Sequence, residues 1–379
     1  MIPLNQNLAS LERSAIRAYT DLARQTPGCA MLTIGEPDLE TPAPIRQAAM
    51  AALEDNQTHY APNQGTPALR RAIAEFETRR GNPTTEDQVL VTIGASHALF
   101  TALLGILNPG EEVIIPTPGF GLYQSIAAIA GAKPVFLDVT KTGFQITKEA
   151  LDGVITPKTK AIVINSPCNP TGVILNKESL EAVKAAILGK PIFLVCDNVY
   201  HDLHYSPCPD LSCDPQLKDQ LLLCQSFSKP WAMTGWRIGY LACPQYVMER
   251  LLLLSAANIA AVPTFVQSAA VTALKTPVEP MVEIYRRRRD YVTDRLNRMG
   301  LEFPQPEGAF YVFADIRRFG MDSADFCTRM IREGKLAAVP GSCFGTEGYI
   351  RLSYCCSDAQ LETGMDRLEK FINHLASEK

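Results

Sequence analysis

The segment SFSKPWAMTGWRIGY, residues 226–240, places one lysine among hydroxyl groups and an arginine. Lys229 follows Ser226 and Ser228, and Arg237 stands eight residues after the lysine. A lysine whose pKa is lowered by burial or by neighbouring cations forms Schiff bases with carbonyl groups. An arginine offers a fixed fork of donors that suits a phosphate. The segment predicts a carbonyl-capturing amine beside a phosphate site; the alternative for the lysine tetrapeptide alone is an ordinary solvated loop.

A second candidate anion site lies in the stretch VTIGASHALF. A predicted strand ends at Ile93, and a predicted helix begins at Ala95 with Ser96 in its first turn. Helix N-termini attract anions because they carry unpaired N–H groups and the positive end of the helix dipole. A plain strand-to-helix turn capped by Ser96 is the alternative. The chain has neither GxGxxG nor GxxxxGK[ST], which disfavours a nicotinamide cofactor or a nucleoside triphosphate.

Polar side chains follow two further apolar runs. Asn169 lies in NSPCNPTG, and Asp197 and Tyr200 lie in VCDNVYHDL. Taken singly, an Asn in a turn or an Asp after a strand is often only a local cap. Ligands of parallel sheets bind at the carboxyl ends of the strands, so we expect these residues to share one site with Lys229.

The groups of pyridoxal 5'-phosphate match this set of side chains. The aldehyde needs the amine of Lys229, and the phosphate needs Arg237, hydroxyl groups and a helix N-terminus. Asp197 would keep the pyridine nitrogen protonated, so that the cofactor remains an electron sink. Phe120, in PTPGFGLY, would either stack on the ring or be a buried core aromatic. Pyridoxal 5'-phosphate is therefore the predicted cofactor.

Short apolar runs alternate with longer helical patterns through the middle of the chain. This alternation is typical of an α/β fold, in which helices cover a mostly parallel sheet. Each run ends near a Gly, Pro, Asn or Ser that breaks the strand. The predicted strands cover residues 89–93, 112–115, 133–138, 160–165, 192–197, 221–225 and 239–242.

The pattern changes after Pro280 to a long amphipathic helix over residues 281–299, followed by short strands and a closing helix from about Asp358. A further helix is predicted around residues 10–24. We expect a smaller α+β domain built from both termini. The predicted large cofactor-binding domain covers residues 42–280, and the predicted small domain covers residues 1–41 and 281–379.

Composition and charge exclude several classes of protein. The chain has 379 residues and a net charge of −4, so it lacks the concentrated excess of Lys and Arg that nucleic-acid binding requires. The basic run at residues 286–289 is interpreted as a solvated helix face beside Glu283 and Asp290. No targeting segment or membrane-spanning apolar run is evident. We expect a cytoplasmic protein that binds neither nucleic acid nor membrane.

The eleven cysteines show no CxxC spacing, which predicts reduced thiols that mostly serve packing. His201 and His204 stand three residues apart, but this pair alone is a weak metal motif. No metal site is predicted.

The order and spacing of the motifs resemble the class I aminotransferases of the fold-type I pyridoxal-phosphate enzymes, the aspartate aminotransferase family. The resemblance runs through nearly the whole chain. It is carried by IGEPDLETP, HYAPNQGTPALRRAI, GASHALF, PTPGFGLY, NSPCNPTG, CDNVYHDL, SFSKPWAMTGWRIGY, PEGAFYVF and PGSCFGTEGYIRLSY.

The resemblance implies a role for each cofactor ligand. Lys229 would form the internal aldimine, and Asp197 would pair with the pyridine nitrogen. Tyr200 and Asn169 would donate hydrogen bonds to the ring oxygen. The implied phosphate ligands are Ala95, Ser96, Ser226, Ser228 and Arg237.

The resemblance also implies a substrate site and a dimer. Arg351, in GYIRLSY, would bind the substrate α-carboxylate bidentately, assisted by the backbone of Gly35 and by Asn169. Tyr60 would reach the phosphate of the neighbouring subunit, which implies a homodimer with shared sites.

The chain departs from the familiar pattern of this family at a few positions. His97 stands where the subgroup often has Glu, and Asn198 follows Asp197 where an acid is usual. Pro230 and Trp231 replace the more familiar residues after the lysine. None of these positions carries a group that the chemistry requires.

The implied activity is transfer of an amino group between an L-amino acid and a 2-oxo acid by a ping-pong mechanism. Glutamate and 2-oxoglutarate are the expected pair on family grounds alone. One alternative is a pyridoxal-phosphate-dependent β-lyase on the same fold. Another is a non-catalytic cofactor-binding regulator, although no added DNA-binding region is present in the sequence.

Overall fold

The computed structural model describes residue 2, residues 5–9, residue 11 and residues 15–378. The predicted start of the N-terminal helix at Ser10 lies outside the described residues. In chain order, the helices are α1 (Ala15–Gln25), α2 (Ala43–Glu54), α3 (Pro67–Arg79), α4 (Gly94–Ile106), α5 (Leu122–Ile129), α6 (Lys148–Asp152), α7 (Lys177–Ile187), α8 (Gln245–Asn258), α9 (Thr264–Ala273), α10 (Glu279–Arg298), α11 (Ser323–Arg332) and α12 (Asp358–Ser377).

The predicted strands of the main sheet are confirmed, with small shifts at their ends. The strand predicted over residues 112–115 continues two residues beyond its predicted end and includes Pro116. In chain order, the strands are β1 (Ala30–Met31), β2 (Val89–Thr92), β3 (Glu112–Thr117), β4 (Lys133–Asp138), β5 (Thr159–Asn165), β6 (Phe193–Asp197), β7 (Leu221–Ser226), β8 (Gly239–Ala242), β9 (Tyr311–Asp315), β10 (Leu336–Ala337), β11 (Val339–Pro340) and β12 (Tyr349–Ser353).

The main sheet has the strand order β2-β8-β7-β6-β5-β3-β4. Strands β3 to β7 run parallel, whereas β8 is antiparallel to both of its neighbours, β7 and β2. The parallel strands therefore direct their carboxyl ends to one edge. This edge carries the polar residues that follow β5, β6 and β7.

Both faces of the main sheet are buried except along the edge strand β4, which explains why most of its strands are continuous apolar runs. Along β6 and β7, Val195 and Leu222 pack into the core on one face, and Leu194 and Leu223 pack into the core on the other. Helices α4, α5 and α8 contribute to the first core, and α7 contributes to the second. Such a sheet forms a rigid base for the side chains at its edge.

Local signals in the sequence define several helix starts. The Asn176 side chain accepts a hydrogen bond from the Ser179 amide at the start of α7, and Ser357 caps α12 at Gln360 in the same way. Such caps satisfy amide groups that have no partner within the helix. Both helices therefore begin directly after a residue of a type that favours the N-cap position.

A further core lies beside the strands β9, β11 and β12, where β9 and β12 pack against the helices α10 and α12. These strands form an antiparallel sheet in the order β11-β12-β9. The N-terminal segment joins this region, because β1 pairs in parallel with β10. A smaller α+β part built from both ends of the chain is present, as predicted. The boundaries after residues 41 and 280 stay a prediction.

The interpretation of residues 286–289 as a solvated helix face is wrong for Arg288. This side chain is buried on the same face of α10 as Tyr285. Its Nη1 and Nη2 atoms donate to the two carboxylate oxygens of Asp38 at 2.6 and 2.9 Å, and its Nε donates to Asp358 at 2.8 Å. The ion cluster ties α10 and α12 to the segment that follows β1.

The eleven cysteines all lie within the described residues, and each is a free thiol. Among those residues, no helix combines the length and apolar character needed to cross a membrane.

Candidate active site

A cavity of about 730 Å³ lies at the carboxyl edge of the main sheet, between this sheet and the region around β9 and β12. It brings together the predicted site residues except Tyr60. The predicted residues that line it are Gly35, Ala95, Ser96, Phe120, Asn169, Asp197, Tyr200, Ser226, Ser228, Lys229, Arg237 and Arg351.

Lys229 lies in the loop that follows β7, with its side chain half-buried in the cavity wall. Its Nζ donates a hydrogen bond to the carbonyl oxygen of Gly35 at 2.5 Å. Burial lowers the pKa of Lys229 to about 8; nearby Arg351 and Arg237 act in the same direction, while other neighbours oppose them. A larger fraction of this amine is therefore neutral near pH 7 than for an exposed lysine, as nucleophilic attack on a carbonyl requires.

The start of α4 and the side chain of Arg237 lie together and form a candidate anion site. Gly94, the first residue of α4, has a φ angle of +69°, and a Cβ on it would lie 2.8 Å from Nη2 of Arg237. Glycine is required here because any side chain would meet both the backbone strain and the guanidinium. Arg237 Nη1 donates to the carbonyl oxygen of Thr234 at 2.9 Å, which fixes the arginine over the helix N-terminus.

Two buried serine hydroxyl groups complete this side of the cavity. Ser226 ends β7, and its Oγ donates to Oγ of Ser228 at 2.9 Å. The Ser228 amide donates to Oγ of Ser226 at 3.1 Å. The hydroxyl groups therefore lie close to the Lys229 backbone and line the same cavity as Arg237.

Asp197 is the last residue of β6, and its side chain is buried. The Tyr123 hydroxyl donates to Oδ2 of Asp197 at 2.6 Å, and the Val199 amide donates to Oδ1 at 3.3 Å. Burial raises the pKa of Asp197 to about 6, while these hydrogen bonds oppose the rise. The site therefore holds a carboxylate that gains stability from any cation placed in the cavity beside it.

Tyr200 follows Asp197 in a series of turns. The Tyr200 hydroxyl lies 2.8 Å from the Tyr311 hydroxyl, and both side chains are buried. The backbone of Asn169 is fixed in place, because its backbone amide donates to Oδ1 of Asn165 at 2.9 Å. The two predicted donors therefore approach the cavity from the loops after β5 and β6.

Arg351 lies on β12 and is only 2% exposed. Its Nη1 donates to Oδ1 of Asn169 at 2.8 Å, and its Nη2 donates to the carbonyl oxygen of Thr33 at 2.5 Å. Its guanidinium stacks on the rings of Tyr311 and Phe344, at 4.4 and 4.9 Å from their centres. The buried Nε has no hydrogen-bond partner among the described residues, so a donor remains for an acidic ligand.

Phe120 satisfies both of its predicted alternatives, since it lines the cavity and also packs against the core of the main sheet. Three of the residues that depart from the familiar family pattern make hydrogen bonds within the protein near the cavity. His97 Nδ1 accepts from the Ile93 amide at 3.3 Å, and Asn198 donates to Asp210 at 2.6 Å. Trp231 is buried and donates to the carbonyl oxygen of Thr276.

Several cavity residues were not identified from the sequence. Tyr123 and Tyr311 lie within the quoted motifs PTPGFGLY and PEGAFYVF, so their phenol groups were a signal that sequence reasoning passed over. Thr33 contributes a backbone carbonyl, which no residue type reveals. Residues of α1, including Arg17 and Thr20, also line the cavity, and a helix pattern alone does not show where a helix docks.

Tyr60 lies outside the cavity and is 90% exposed in this single chain. It lines a separate depression together with residues 58, 59, 61 and 261–265. A role in the site of the same chain is therefore not supported by its position.

Comparison with known proteins identifies the family. Residues 27–368 match the sequence profile described as aminotransferase class I and II. The chain belongs to this aminotransferase family.

The aminotransferase has relatives over almost its whole length. It is 39% identical to a probable N-acetyl-LL-diaminopimelate aminotransferase from Bacillus subtilis, with 97% of this chain and 95% of the relative covered. It is 38% identical to aromatic-amino-acid aminotransferase 2 from Thermococcus litoralis, with 97% and 98% covered. These names describe different substrates for similar chains.

A solved structure confirms the fold. The aspartate aminotransferase from Thermus thermophilus with maleate superposes with a TM-score of 0.93 at 34% identity, covering 98% of this aminotransferase and 100% of that chain. The predicted α/β architecture and the predicted membership of the aspartate aminotransferase family are therefore both confirmed.

Proposed function

We propose that this aminotransferase moves an amino group between an L-amino acid and a 2-oxo acid in a ping-pong reaction, with pyridoxal 5'-phosphate joined to Nζ of Lys229. One observation carries the proposal. A lysine of lowered pKa projects into a cavity between an anion site at Gly94 and Arg237 and a second anion site at Arg351.

The residues present fit this cofactor. The α4 N-terminus, Arg237 and the two serine hydroxyl groups suit a phosphate dianion. The buried carboxylate of Asp197 suits a protonated pyridine nitrogen, whose positive charge would offset the cost of burying the acid. Tyr200 and Asn169 suit the ring oxygen, and Phe120 suits a ring face. When bound, the cofactor supplies an electron sink for the bond that breaks at the substrate Cα.

Each residue of the cavity then has a part in the reaction. Arg351, with Asn169 beside it, binds the α-carboxylate and so fixes the orientation of the substrate Cα. The Lys229 amine, freed when the substrate amine takes its place, accepts the Cα proton and later returns it. Gly35 offers its carbonyl oxygen to the same amine, which keeps Nζ at the cavity wall between these events.

The side chain of the substrate is not assigned by these contacts. The relatives carry names for acidic, aromatic and acylated substrates, while the α-carboxylate site involves only Arg351 and Asn169. We propose glutamate and 2-oxoglutarate as one donor and acceptor pair, on the ground of the family alone.

We further propose a homodimer in which Tyr60 donates to the cofactor phosphate bound in the neighbouring subunit. Its 90% exposure in the single chain is consistent with this assignment, because the side chain is free to contact a neighbouring subunit.

The test is a screen of amino donors against several 2-oxo acids with purified protein and added cofactor. We expect a visible absorption band that borohydride bleaches, and amino transfer that requires both substrates. Lys229→Ala should lose the band and at least a thousandfold of the activity, since it removes both the covalent link and the base.

Two outcomes would contradict the proposal. Wild-type protein without a bleachable band would refute the cofactor. Release of pyruvate and ammonia from a sulfur amino acid without any 2-oxo acid would indicate the β-lyase in its place.

A further inference from the structure

Tyr311 connects three parts of the cavity that have separate proposed roles. Its hydroxyl lies 2.8 Å from the Tyr200 hydroxyl, and this is its only hydrogen bond within the described part of the chain. Its ring carries the Arg351 guanidinium at 4.4 Å. It also lies against Gly35, where a Cβ would come within 1.8 Å of the Tyr311 hydroxyl oxygen.

The hydroxyl pair has a direction that its surroundings define. Each phenol has one hydrogen to donate, so only one member of the pair can donate to the other. The distance alone allows either hydroxyl to donate, but Tyr200 is the only acceptor for the Tyr311 hydrogen within the described part of the chain. When Tyr200 gives its one hydrogen to the ring oxygen of the cofactor, as proposed above, it has none left for Tyr311. In that arrangement Tyr311 donates, and Tyr200 accepts.

The consequence concerns the hydrogen of Tyr200. Once the Tyr200 oxygen accepts from Tyr311, its own hydrogen remains available to the cavity that Tyr200 lines. A hydroxyl that accepts a hydrogen bond also becomes a stronger donor, because chains of hydrogen bonds polarise one another. The Arg351 cation stacked on the Tyr311 ring adds to this polarisation.

We propose that Tyr311 is a positioning residue that donates to Tyr200 and thereby directs the Tyr200 hydrogen at the oxygen of the bound cofactor ring. This inference rests on the proposed function. It goes further by giving a role to a residue that touches neither the reacting lysine nor the phosphate site. It also connects the substrate carboxylate site at Arg351 to the cofactor through a single side chain.

Loss of the Tyr311 hydroxyl is expected to change the pH at which the cofactor-loaded protein loses its proton. A weaker Tyr200 donor leaves more electron density on the cofactor ring oxygen, which then holds the proton shared with the Lys229 nitrogen more tightly. The protonated form of the loaded protein therefore persists to higher pH. The other charged and titratable groups near this centre are Glu36, Asp197, Arg237, Arg351 and Cys355.

The experiment compares Tyr311→Phe with Tyr205→Phe in the cofactor-loaded protein. Tyr205 is a matched control, because it is buried in the same core and its hydroxyl donates to a backbone carbonyl, that of Ala309. The pH midpoint of the visible absorption change should rise by about half a pH unit in Tyr311→Phe, the size expected from one weakened hydrogen bond. Tyr205→Phe should leave the midpoint unchanged.

A double variant tests the route through Tyr200. If Tyr311 acts on the cofactor only through Tyr200, the change Tyr311→Phe should shift the midpoint no further once Tyr200→Phe is present. An additional shift of the same size in that background would overturn the inference.

The controls separate this inference from the proposed function. An unshifted midpoint in Tyr311→Phe, in a protein that still shows the bleachable band, overturns the positioning role and leaves the aminotransferase assignment intact. A wild-type protein without the band refutes the cofactor instead. Thermal unfolding of both variants distinguishes a spectral effect from a general loss of packing, which should be similar in the two.

Discussion

At the scale of single residues, burial moves Lys229 and Asp197 toward their neutral forms. The pKa of Lys229 falls to about 8, and that of Asp197 rises to about 6. Both values lie close enough to neutral pH for a ligand of opposite charge to change the protonation state. Lys229 is thereby poised to attack a carbonyl, and Asp197 is returned to its charged form by a cation placed beside it.

Arg351 is the residue whose loss should affect substrate use most selectively. Arg351→Ala removes the charged donors of the proposed α-carboxylate site and leaves Asn169 without its partner. We expect kcat/KM for amino acids to fall by roughly 100-fold or more, since loss of a buried charged partner costs about 2–5 kcal/mol. The cofactor band should persist, and the measurement is steady-state kinetics with parallel spectra.

Arg317→Ala is the control for this change. Arg317 also stacks on an aromatic ring, that of Tyr349 at 5.3 Å, but its side chain is exposed and does not line the cavity. Near wild-type kinetics are expected. Loss of the cofactor band in Arg351→Ala would show that this arginine holds the cofactor and not the substrate.

At the scale of elements, the strand ends and the helix starts bring the site together. Asp197 and Ser226 end β6 and β7, and Asn169 follows β5 by a short loop. Their approach was predictable, because apolar runs locate the strands and parallel strands direct their carboxyl ends to one edge. The candidate phosphate site was likewise predictable from β2 and from the glycine and helix that follow it.

Other contacts could not be predicted from these patterns. The Arg288 pair with Asp38 joins residues 250 positions apart, so no helical spacing reveals it. The docking of α1 against the cavity depends on tertiary packing, and the Thr33 carbonyl belongs to the backbone. The motif PTPGFGLY contains Tyr123, but it does not show that the Tyr123 hydroxyl donates to Asp197, which depends on the packing of α5 beside β6.

The contact between Gly94 and Arg237 at the start of α4 can be tested against a control glycine with a similar φ angle. Gly94→Ala should cost about 1–2 kcal/mol of stability through its positive φ angle, and it should also displace Arg237. We therefore expect cofactor affinity to fall by roughly tenfold, the equivalent of one weakened charged hydrogen bond. Affinity is measured by titrating apoprotein with the cofactor, and stability by thermal unfolding.

Gly189→Ala separates the two effects. Gly189 has a φ angle of +73°, but a Cβ there would meet nothing within 4 Å. This variant should lose similar stability and keep its affinity for the cofactor. Equal affinity losses in both variants would mean that backbone strain, and not contact with Arg237, is responsible.

At the scale of the whole molecule, the proposed dimer can be tested by mixing subunits. Tyr60→Phe should weaken cofactor binding by roughly tenfold, since it removes a hydrogen bond to a charged group. Mixed with Lys229→Ala subunits, it should regain tight binding. Each hybrid dimer then has one site with Lys229 from one chain and Tyr60 from the other.

The measurement is cofactor titration of the two variants, alone and after joint refolding. One tight site per hybrid is expected. If Tyr60 served only the site of its own chain, mixing would restore nothing, and the shared-site arrangement would be wrong.

The pairing of β1 with β10 has a consequence for the order in which the site forms during synthesis. Ala30 pairs with Leu336, about 300 residues later in the chain. The ribosome therefore releases the first strand long before its partner exists, and closing so long a loop is slow. Gly35 lies four residues after that strand, so the Lys229 amine meets its backbone partner only when translation is nearly complete.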